Sequence, residues 1–312
     1  MLIAKGLLAR GHAATLFAPA SAIARLGMLV VPGLEVVDFS TLTSIAALQD
    51  PETDCWTSRL PSLDRFDCVV SDNLPEILKV RRDAVLSGSF LWHLVLAGIA
   101  EGTRAETEDL LARHRPVMIA SELFGMPELA ERTRLTRVGL CVASPPPPGP
   151  GEALLISCGG TSGFEADVRR LVETIATGPR PPFSRVFVEP RLIPDNAPAW
   201  MERATFDETM YRALLACVCR PGVGTMTDCV WARARVFSAW EPGNRELSFN
   251  ASRFAELGIG ESAGDPHEAF AAACAFATDA DRRAAHTSKI LNLDLEGVRE
   301  TADVLTELAT SH

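Results

Sequence analysis

Short apolar runs alternate with amphipathic segments along the whole chain. The first half predicts strands at residues 13–18, 34–39, 66–73, 85–90 and 116–121, and helices at 2–10 and 104–114. The second half predicts strands at 153–158, 185–189 and 236–240, a helix that leads into a short strand across 207–218, and helices at 165–177, 229–235, 267–278 and 291–309. Strands that alternate with helices favour an α/β protein with doubly wound sheets, which bind ligands at the carboxyl ends of their strands.

A proline-rich segment divides this alternation in two. Residues 144–151 read Ser-Pro-Pro-Pro-Pro-Gly-Pro-Gly. Four consecutive prolines favour polyproline II, which makes a semi-rigid spacer, although a ligand for an SH3-type domain has the same composition. A chain of 312 residues also suggests two domains. We therefore predict a first domain at 1–143, a linker at 144–151 and a second domain at 152–312.

Composition and charge narrow the classes of function. The net charge of −10 argues against a protein that binds nucleic acid or an anionic membrane surface. The eight cysteines include no CxxC pair, so neither a zinc site nor a disulfide framework is predicted, and a reducing, cytoplasmic location is expected. The first residues lack the long apolar core of a secretory signal, and no transmembrane segment is predicted.

The stretch from Cys219 to Asp228 carries the clearest chemistry. It follows an apolar run and precedes a helix-like segment. A strand, a glycine turn and a helix start present free backbone N–H groups to an anion. Gly222 and Gly224 let the backbone approach a ligand closely, and Asp228 could accept hydrogen bonds from both hydroxyls of a ribose.

Two further segments follow the same logic. Residues 159–163 read Gly-Gly-Thr-Ser-Gly between a predicted strand and a predicted helix, which is a second glycine turn of this kind. Residues 241–251 read Glu-Pro-Gly-Asn-Arg-Glu-Leu-Ser-Phe-Asn-Ala after the next strand. They bring acids and amides to a strand end, where sugar hydroxyls could be held.

The segment from Cys219 to Gly260 resembles the donor-binding region of GT-B glycosyltransferases. Its pattern is most similar to the bacterial enzyme that adds N-acetylglucosamine to the peptidoglycan lipid intermediate, and UDP-glycosyltransferase-like families are related. Gly222, Thr225 and Asp228 match the family's glycine turn and ribose-binding acid, with Asp in place of the usual Glu. Glu246 matches the acidic position near the sugar, whereas Leu247 stands where a Gln is common.

The resemblance implies two Rossmann-like, doubly wound domains that face a cleft. It also implies transfer of a sugar from a nucleoside-diphosphate sugar, with a UDP-sugar as the first expectation, to an acceptor that could be a small molecule, a lipid-linked group or a glycan. The nucleotide sugar is a substrate, so no cofactor and no metal are expected. The predicted donor-binding residues are Gly159, Gly160, Thr161, Ser162, Phe206, Arg220, Gly222, Val223, Gly224, Thr225, Asp228, Glu246 and Asn250.

Asp72 is the candidate for catalysis in the first half. It ends the apolar run at 66–73, where the resemblance places a strand that contributes to acceptor binding or to base chemistry. The alternative is that Asp72 and Asn73 cap a helix that begins near Pro75. His93, which follows another predicted strand, either faces the cleft or is a structural histidine.

The resemblance has one departure, at the beginning of the chain. GT-B proteins place a strand and a glycine-rich loop before a helix that ends Arg-Gly-His, and Arg10, Gly11 and His12 match that ending. The resemblance therefore implies that the first strand and its loop are missing here. In many relatives that loop carries a histidine proposed as the catalytic base or as an acceptor contact. His12, at a helix carboxyl end, is expected to serve the turn instead.

Two other functions remain open. A nucleotide-sugar hydrolase or 2-epimerase would use the same fold and the same donor residues. A degenerate protein that binds a nucleotide sugar without catalysis would fit a first domain without its leading strand, although such a binder would be expected to lose Asp228 or the glycines early.

Overall fold

The computed structural model describes residues 1–19, 31–39, 56–96, 98–143, 146–147, 149–159 and 164–310. These residues form two compact units. The first unit contains Met1–Ala143 and Leu295–His312, and the second contains Ser144–Asp294. In the described residues, every pair of named strands is parallel.

The predicted strands and helices occur in the predicted order, and the described residues add three strands and four helices that the apolar pattern does not predict. The strands are β1 (Ala14–Ala18), β2 (Leu34–Asp38), β3 (Val70–Asp72), β4 (Val85–Ser87), β5 (Val117–Ser121), β6 (Arg134–Val138), β7 (Ala153–Ser157), β8 (Val186–Val188), β9 (Met201–Arg203), β10 (Leu214–Cys219), β11 (Arg235–Ser238) and β12 (Gly260–Ser262). The helices are α1 (Leu2–Leu8), α2 (Trp92–Val95), α3 (Glu101–His114), α4 (Glu128–Arg132), α5 (Glu165–Thr177), α6 (Glu208–Arg212), α7 (Val223–Ala232), α8 (Arg245–Leu257), α9 (Pro266–Thr278), α10 (Ala280–Ile290) and α11 (Gly297–Thr310). Short 3-10 helices cover Trp56–Arg59 and Pro75–Lys79.

The second unit is built on a six-stranded parallel sheet. Its strand order is β12-β11-β10-β7-β8-β9, which puts β7 and β10 in the middle. Every residue of β7 and β10 is buried, as expected for central strands of a sheet that is covered by helices. Because all six strands are parallel, their carboxyl ends lie along one edge of the sheet.

The first unit divides its described strands between two sheets. The strands β1 and β2 pair with each other, and β3, β4, β5 and β6 form a second sheet in that order. The strand predicted at residues 66–73 is paired at Val70–Asp72. It is shorter than predicted because the described pairing with β4 covers only Val70, Ser71 and Asp72.

The carboxyl-terminal helix α11 belongs to the first unit, which corrects the predicted second domain at 152–312. The side chain of Leu305 packs with Val85, Ile119 and Val138 of that unit. The guanidinium of Arg10 donates to Asp303 at 2.7 Å. The amphipathic pattern of α11 predicts a helix with one buried face, but it cannot tell which of two sheets that face covers.

The end of the predicted linker is bound to the second unit. The backbone N–H of Gly151 donates to the carbonyl of Leu214 at 2.8 Å. A Cβ at Gly151 would lie 2.0 Å from the carbonyl oxygen of Ala213, so the close approach of the two backbones requires glycine there.

Candidate functional site

The connection from β10 leads into the start of helix α7, where the first backbone N–H groups have no partner within the helix. The helix α7 begins directly after Gly222, six residues earlier than predicted, so Val223, Gly224 and Thr225 form its first turn. Gly222 has no side chain with which to cap the helix, and the first turn contains no acidic residue. The backbone N–H groups of this turn and the helix dipole therefore favour an anion at this position.

One face of α7 leads from the helix start to Asp228. Gly224 and Asp228 are four residues apart, which places them on the same side of the helix, and both are exposed. A Cβ built at Gly224 meets no atom within 4 Å, so the space beside the helix start is open. A ligand that binds its anionic group at the helix start can thus extend along α7 to a carboxylate.

Asp228 is reachable by solvent but is partly enclosed by protein. Burial raises the pKa of its carboxyl to about 6, while a hydrogen bond from Tyr211 opposes that rise. The exposure and the raised pKa are compatible, because a carboxylate in a recess is open on one side and desolvated on the others. Asp228 can therefore accept hydrogen bonds from a ligand that approaches from the open side.

Arg220 is held in place by Glu241 across the ends of two neighbouring strands. The Nε and Nη2 atoms of Arg220 donate to the carboxylate of Glu241 at 2.6 to 3.1 Å, in a two-pronged ion pair. This hydrogen bonding lowers the pKa of Glu241. Sequence reasoning missed Glu241 as a partner, although strand order would place the residues that follow β10 and β11 side by side. The pair holds the guanidinium of Arg220 in a fixed position, and the charge of Glu241 balances the charge of Arg220.

The start of α8 supplies Glu246. Asn244 caps this helix by accepting the N–H of Leu247 at 3.2 Å, and Glu246 lies in the first turn. Burial raises the pKa of Glu246, and the positive charge of Arg220 partly offsets that rise. Glu246 is thus within electrostatic reach of Arg220, so the structure brings these two predicted residues together.

Asn250, which is predicted to bind the donor, is enclosed by protein in this structure. It is fully buried, with 0% of its surface exposed. Its Nδ2 donates to the carbonyl of Pro221 at 3.0 Å. The residue type suggests a binding role, but its position on α8 points it inward, where it holds the turn that precedes α7.

The other predicted glycine turn follows β7, and a carboxylate lies at the end of that strand. Gly159 has φ +70°, a conformation that favours glycine, whereas Gly160, Thr161 and Ser162 lie outside the described residues. Glu189 accepts the N–H of Cys158 at 3.0 Å and pairs with Arg191 at 2.6 Å, so a carboxylate already occupies the strand end.

The helix after that turn carries its own anions. The first turn of α5 contains Glu165 and Asp167. Glu165 pairs with Arg169 at 2.7 Å and with Arg191 at 3.1 Å. These carboxylates complement the dipole of α5 and repel a further anion. The start of α7 is therefore the better anion site of the two.

Phe206 lies at the same edge of the sheet but is not in contact with the start of α7. It follows β9, is 42% exposed and has φ +54°. The strands β9 and β10 are three positions apart in the sheet, or roughly 14 Å at the usual strand spacing. Asp207 then caps α6 by accepting the N–H of Met210 at 2.8 Å. A ligand would have to be extended to reach both places.

In the first unit, Asp72 lies on the wall of a cavity. The cavity has a volume of about 320 Å³ and is lined mainly by apolar side chains, including Phe17, Trp56 and Leu63. Asp72 is exposed to this space, and the protein around it raises the pKa of its carboxyl by burial. The 3-10 helix at Pro75–Lys79 begins after Leu74 and has no side-chain cap, so the alternative role of Asp72 as a cap is wrong.

The two histidines of interest in the first unit make internal contacts. His93 is 2% exposed, and its Nε2 lies 3.0 Å from Glu108, which also pairs with Arg132. His93 is thus a structural histidine. The Nε2 of His12 lies 2.9 Å from the hydroxyl of Thr306 on α11.

The described residues show neither a metal centre nor a membrane-spanning helix. Within the described ranges, no three His, Cys, Asp or Glu side chains are grouped so that they could hold a metal ion. No helix in the described part of the chain has the length and apolar character needed to cross a membrane.

Comparisons with known proteins give the fold. No protein-family model and no curated protein matches the sequence. The solved structure of the glycotransferase of kitacinnamycin is 17% identical, with a TM-score of 0.66 over 98% of this chain and 94% of that one. LpCGTa in complex with UDP is 15% identical, with a TM-score of 0.67 over 99% and 95% of the chains. Arabidopsis thaliana UGT89C1 complexed with quercetin is 15% identical, with a TM-score of 0.63 over 99% and 95%. The fold of this chain is therefore the GT-B fold, with two Rossmann-like units.

Proposed function

We propose that this chain, which has the GT-B fold in common with these glycosyltransferases, transfers a sugar from a nucleoside-diphosphate sugar to an acceptor. The observation that carries the proposal is the start of α7. An uncapped helix start without acidic residues is followed, along one exposed face, by Gly224 and Asp228. Anion binding at one end and hydroxyl binding at the other suit a nucleoside diphosphate.

The diphosphate would lie at the first turn of α7. Backbone N–H groups of Val223, Gly224 and Thr225 would donate to its oxygens, with the positive charge of Arg220 nearby. When the bond at the anomeric carbon breaks, negative charge develops on the leaving diphosphate. Fixed N–H dipoles stabilise such charge more in the transition state than in the ground state.

The remaining donor residues would hold the two ends of the nucleotide sugar. Asp228 would accept hydrogen bonds from the ribose hydroxyls, and Glu246 would contact the transferred sugar. Phe206, at the far end of the same sheet edge, would lie near the base. UDP is the first nucleotide to test, because the structure of the similar LpCGTa is of a complex with UDP.

Asp72 would act as the base that accepts the proton of an acceptor hydroxyl. Burial raises the pKa of Asp72, which makes its carboxylate a stronger base than an exposed one. The apolar lining of the adjoining cavity favours an acceptor with an apolar body and a reactive hydroxyl.

A panel of nucleotides tests the proposal. Thermal shift with UDP, GDP, CDP and dTDP, and with their common sugars, should identify one nucleotide family. A ligand at 100 times its dissociation constant adds about 2.7 kcal/mol to the free energy of unfolding. If no nucleotide shifts the melting temperature, the proposed function is wrong.

Product analysis then separates the reactions that the same site could support. Release of the nucleoside diphosphate that depends on an added acceptor, together with formation of the glycosylated acceptor, supports the transferase. Release without an acceptor would indicate a hydrolase, and recovery of an epimerised nucleotide sugar would indicate an epimerase. Binding without turnover would indicate a non-catalytic binder.

A further inference from the structure

The strand that carries Asp72 is short and borders a cavity. Its described pairing covers Val70–Asp72, and the partner strand is β4. Residues 69–72 all line the cavity of about 320 Å³. Successive side chains of a strand point to opposite faces, so a cavity that touches four consecutive residues lies along the open edge of the strand. Packing from that side therefore does little to hold the carboxylate of Asp72 in one place.

The turn that follows Asp72 is held by an interlock between Asn73 and Gly88. Asn73 has φ +55°, in the left-handed region that Asn enters more readily than most residues. Gly88 directly follows β4 and has φ +139°. A Cβ at Gly88 would overlap the Oδ1 and Cγ atoms of Asn73. The side chain of Asn73 thus fills the space that glycine leaves open at position 88.

Backbone hydrogen bonds fix both halves of the interlock. The N–H of Asn73 donates to the carbonyl of Ser87 at 2.8 Å, which extends the pairing of β3 with β4 by one residue. The N–H of Gly88 donates to the carbonyl of Ile119 on β5 at 3.1 Å. Gly88 therefore cannot move away from Asn73 without breaking a hydrogen bond within the sheet.

The side chain of Asn73 is kept in this place at a cost to stability. Its Oδ1 is buried and has no hydrogen-bond partner among the described residues. The 3-10 helix that follows has Leu74 at its N-cap and no side-chain cap, so Asn73 does not serve the helix. A buried polar atom without a partner and a left-handed backbone both lower stability. Features of this kind are common where a neighbouring residue has to be held in a defined position.

We propose that Asn73, locked against Gly88, is a positioning residue that fixes the backbone of Asp72 and so directs its carboxylate to the acceptor hydroxyl. This inference depends on the proposed function, in which Asp72 is the base. Asp72 pairs with Ser87 in the sheet, and Asn73 donates to the same residue, so the backbone is held at Asp72 and directly after it. A base transfers a proton only over hydrogen-bond distance, so a small displacement of Asp72 slows the chemical step.

The test is steady-state kinetics on the full chain. The donor is the nucleotide sugar of the panel that gives the largest thermal shift, and the acceptor is umbelliferone, which has an apolar body and one phenolic hydroxyl. Asn73→Gly keeps the left-handed conformation and removes the side chain. It should lower kcat by about ten- to hundredfold and leave the KM of both substrates nearly unchanged.

Two further variants separate positioning from a general effect on the fold. In an Asp72→Asn background, Asn73→Gly should cause no additional decrease in kcat, because the carboxylate that it positions is gone. Arg115→Gly is the matched control, since Arg115 is another exposed residue of the first unit with a left-handed φ, +40°. It should leave kcat unchanged.

The outcomes keep this inference apart from the proposed function. If Asn73→Gly lowers kcat by the same factor in both backgrounds, or leaves kcat unchanged, the inference is wrong and the proposed function stands. If Asp72→Asn keeps the wild-type kcat, Asp72 is not the base, and the inference fails while sugar transfer stands. If the acceptor does not increase release of the nucleoside diphosphate by the wild-type chain, the proposed function fails and the inference fails with it.

A second measurement needs neither a variant nor a substrate. Hydrogen exchange on the wild-type chain compares the amide of Asn73, which donates to Ser87, with the amide of Gly88, which donates to Ile119. A locked turn requires both amides to exchange slowly. Fast exchange at Asn73 together with slow exchange at Gly88 would show that the turn opens freely and would overturn the inference.

Discussion

The connections β7–α5 and β10–α7 are built on the same plan, yet they differ in charge. Each runs from a buried central strand through a glycine into a helix of ten residues or more. The first turn of α5 contains Glu165 and Asp167, whereas the first turn of α7 contains no acid. A glycine between a strand and a helix therefore marks a place where the backbone can bind an anion. The charges in the first turn of the helix then decide which of the two connections binds an anion better.

The largest expected effect comes from giving the first turn of α7 an acidic residue, as the first turn of α5 has. Thr225→Glu adds a carboxylate to the first turn of α7. Repulsion should weaken UDP binding at least about a hundredfold, which corresponds to about 3 kcal/mol. The same change should preserve or raise stability, because an acid in the first turn interacts favourably with the helix dipole by about 0.3–1 kcal/mol.

Calorimetry and thermal melts measure these two quantities on the same variant. Thr225→Gln is the matched control, since it has similar size and no charge. If Thr225→Glu binds UDP as tightly as Thr225→Gln, the anion does not lie at the start of α7.

The next effect is loss of the carboxylate in the second turn of α7. Asp228→Asn should weaken UDP binding by about 1–3 kcal/mol, because a charge-assisted hydrogen bond is lost. Asp167→Asn, which alters an exposed acid near the start of α5, should leave UDP binding unchanged. Equal losses in the two variants would show that the two connections do not differ in function.

The same two connections show what the sequence could predict. The apolar pattern predicts the central strands, and the helix predicted at 165–177 matches α5. The early start of α7 was missed because Gly224, Thr225 and Thr227 have low helix propensity. Burial of Met226, Cys229 and Val230 on the inner face of the helix overcomes that preference.

The residues that support the site were harder to predict than the residues that form it. Glu241 lies 21 residues from Arg220 and acts through a contact that only the packed sheet creates. Asn250 was placed in the binding site because its residue type suits sugar hydroxyls, yet its side chain points inward. Residue type and spacing therefore identify candidate site residues, whereas the direction of each side chain decides which of them can contact a ligand.

A smaller effect is expected when the hydrogen bond that supports the turn before α7 is removed. Asn250→Ala removes the donor to Pro221 and leaves a buried carbonyl without that partner. The free energy of unfolding should decrease by about 1–3 kcal/mol. UDP binding should weaken less than in Asp228→Asn, because the N–H groups of α7 remain.

Chemical denaturation measures the first quantity and calorimetry the second. Ser248→Ala, on the exposed side of the same helix, is the control. A normal free energy of unfolding together with complete loss of UDP binding would show that Asn250 contacts the ligand after all.

The smallest effect tests whether the open face of α7 is kept open for a ligand. Gly224→Ala fits the empty protein, because its Cβ would meet no atom within 4 Å, and alanine should stabilise the helix by up to about 1 kcal/mol. The methyl group would nevertheless project from the face that joins the helix start to Asp228, so UDP should bind more weakly. Gly149→Ala, another position where a Cβ meets nothing, should change neither quantity. A higher melting temperature with weaker UDP binding would show that the glycine serves the ligand rather than the fold, and a variant that binds UDP normally would contradict that conclusion.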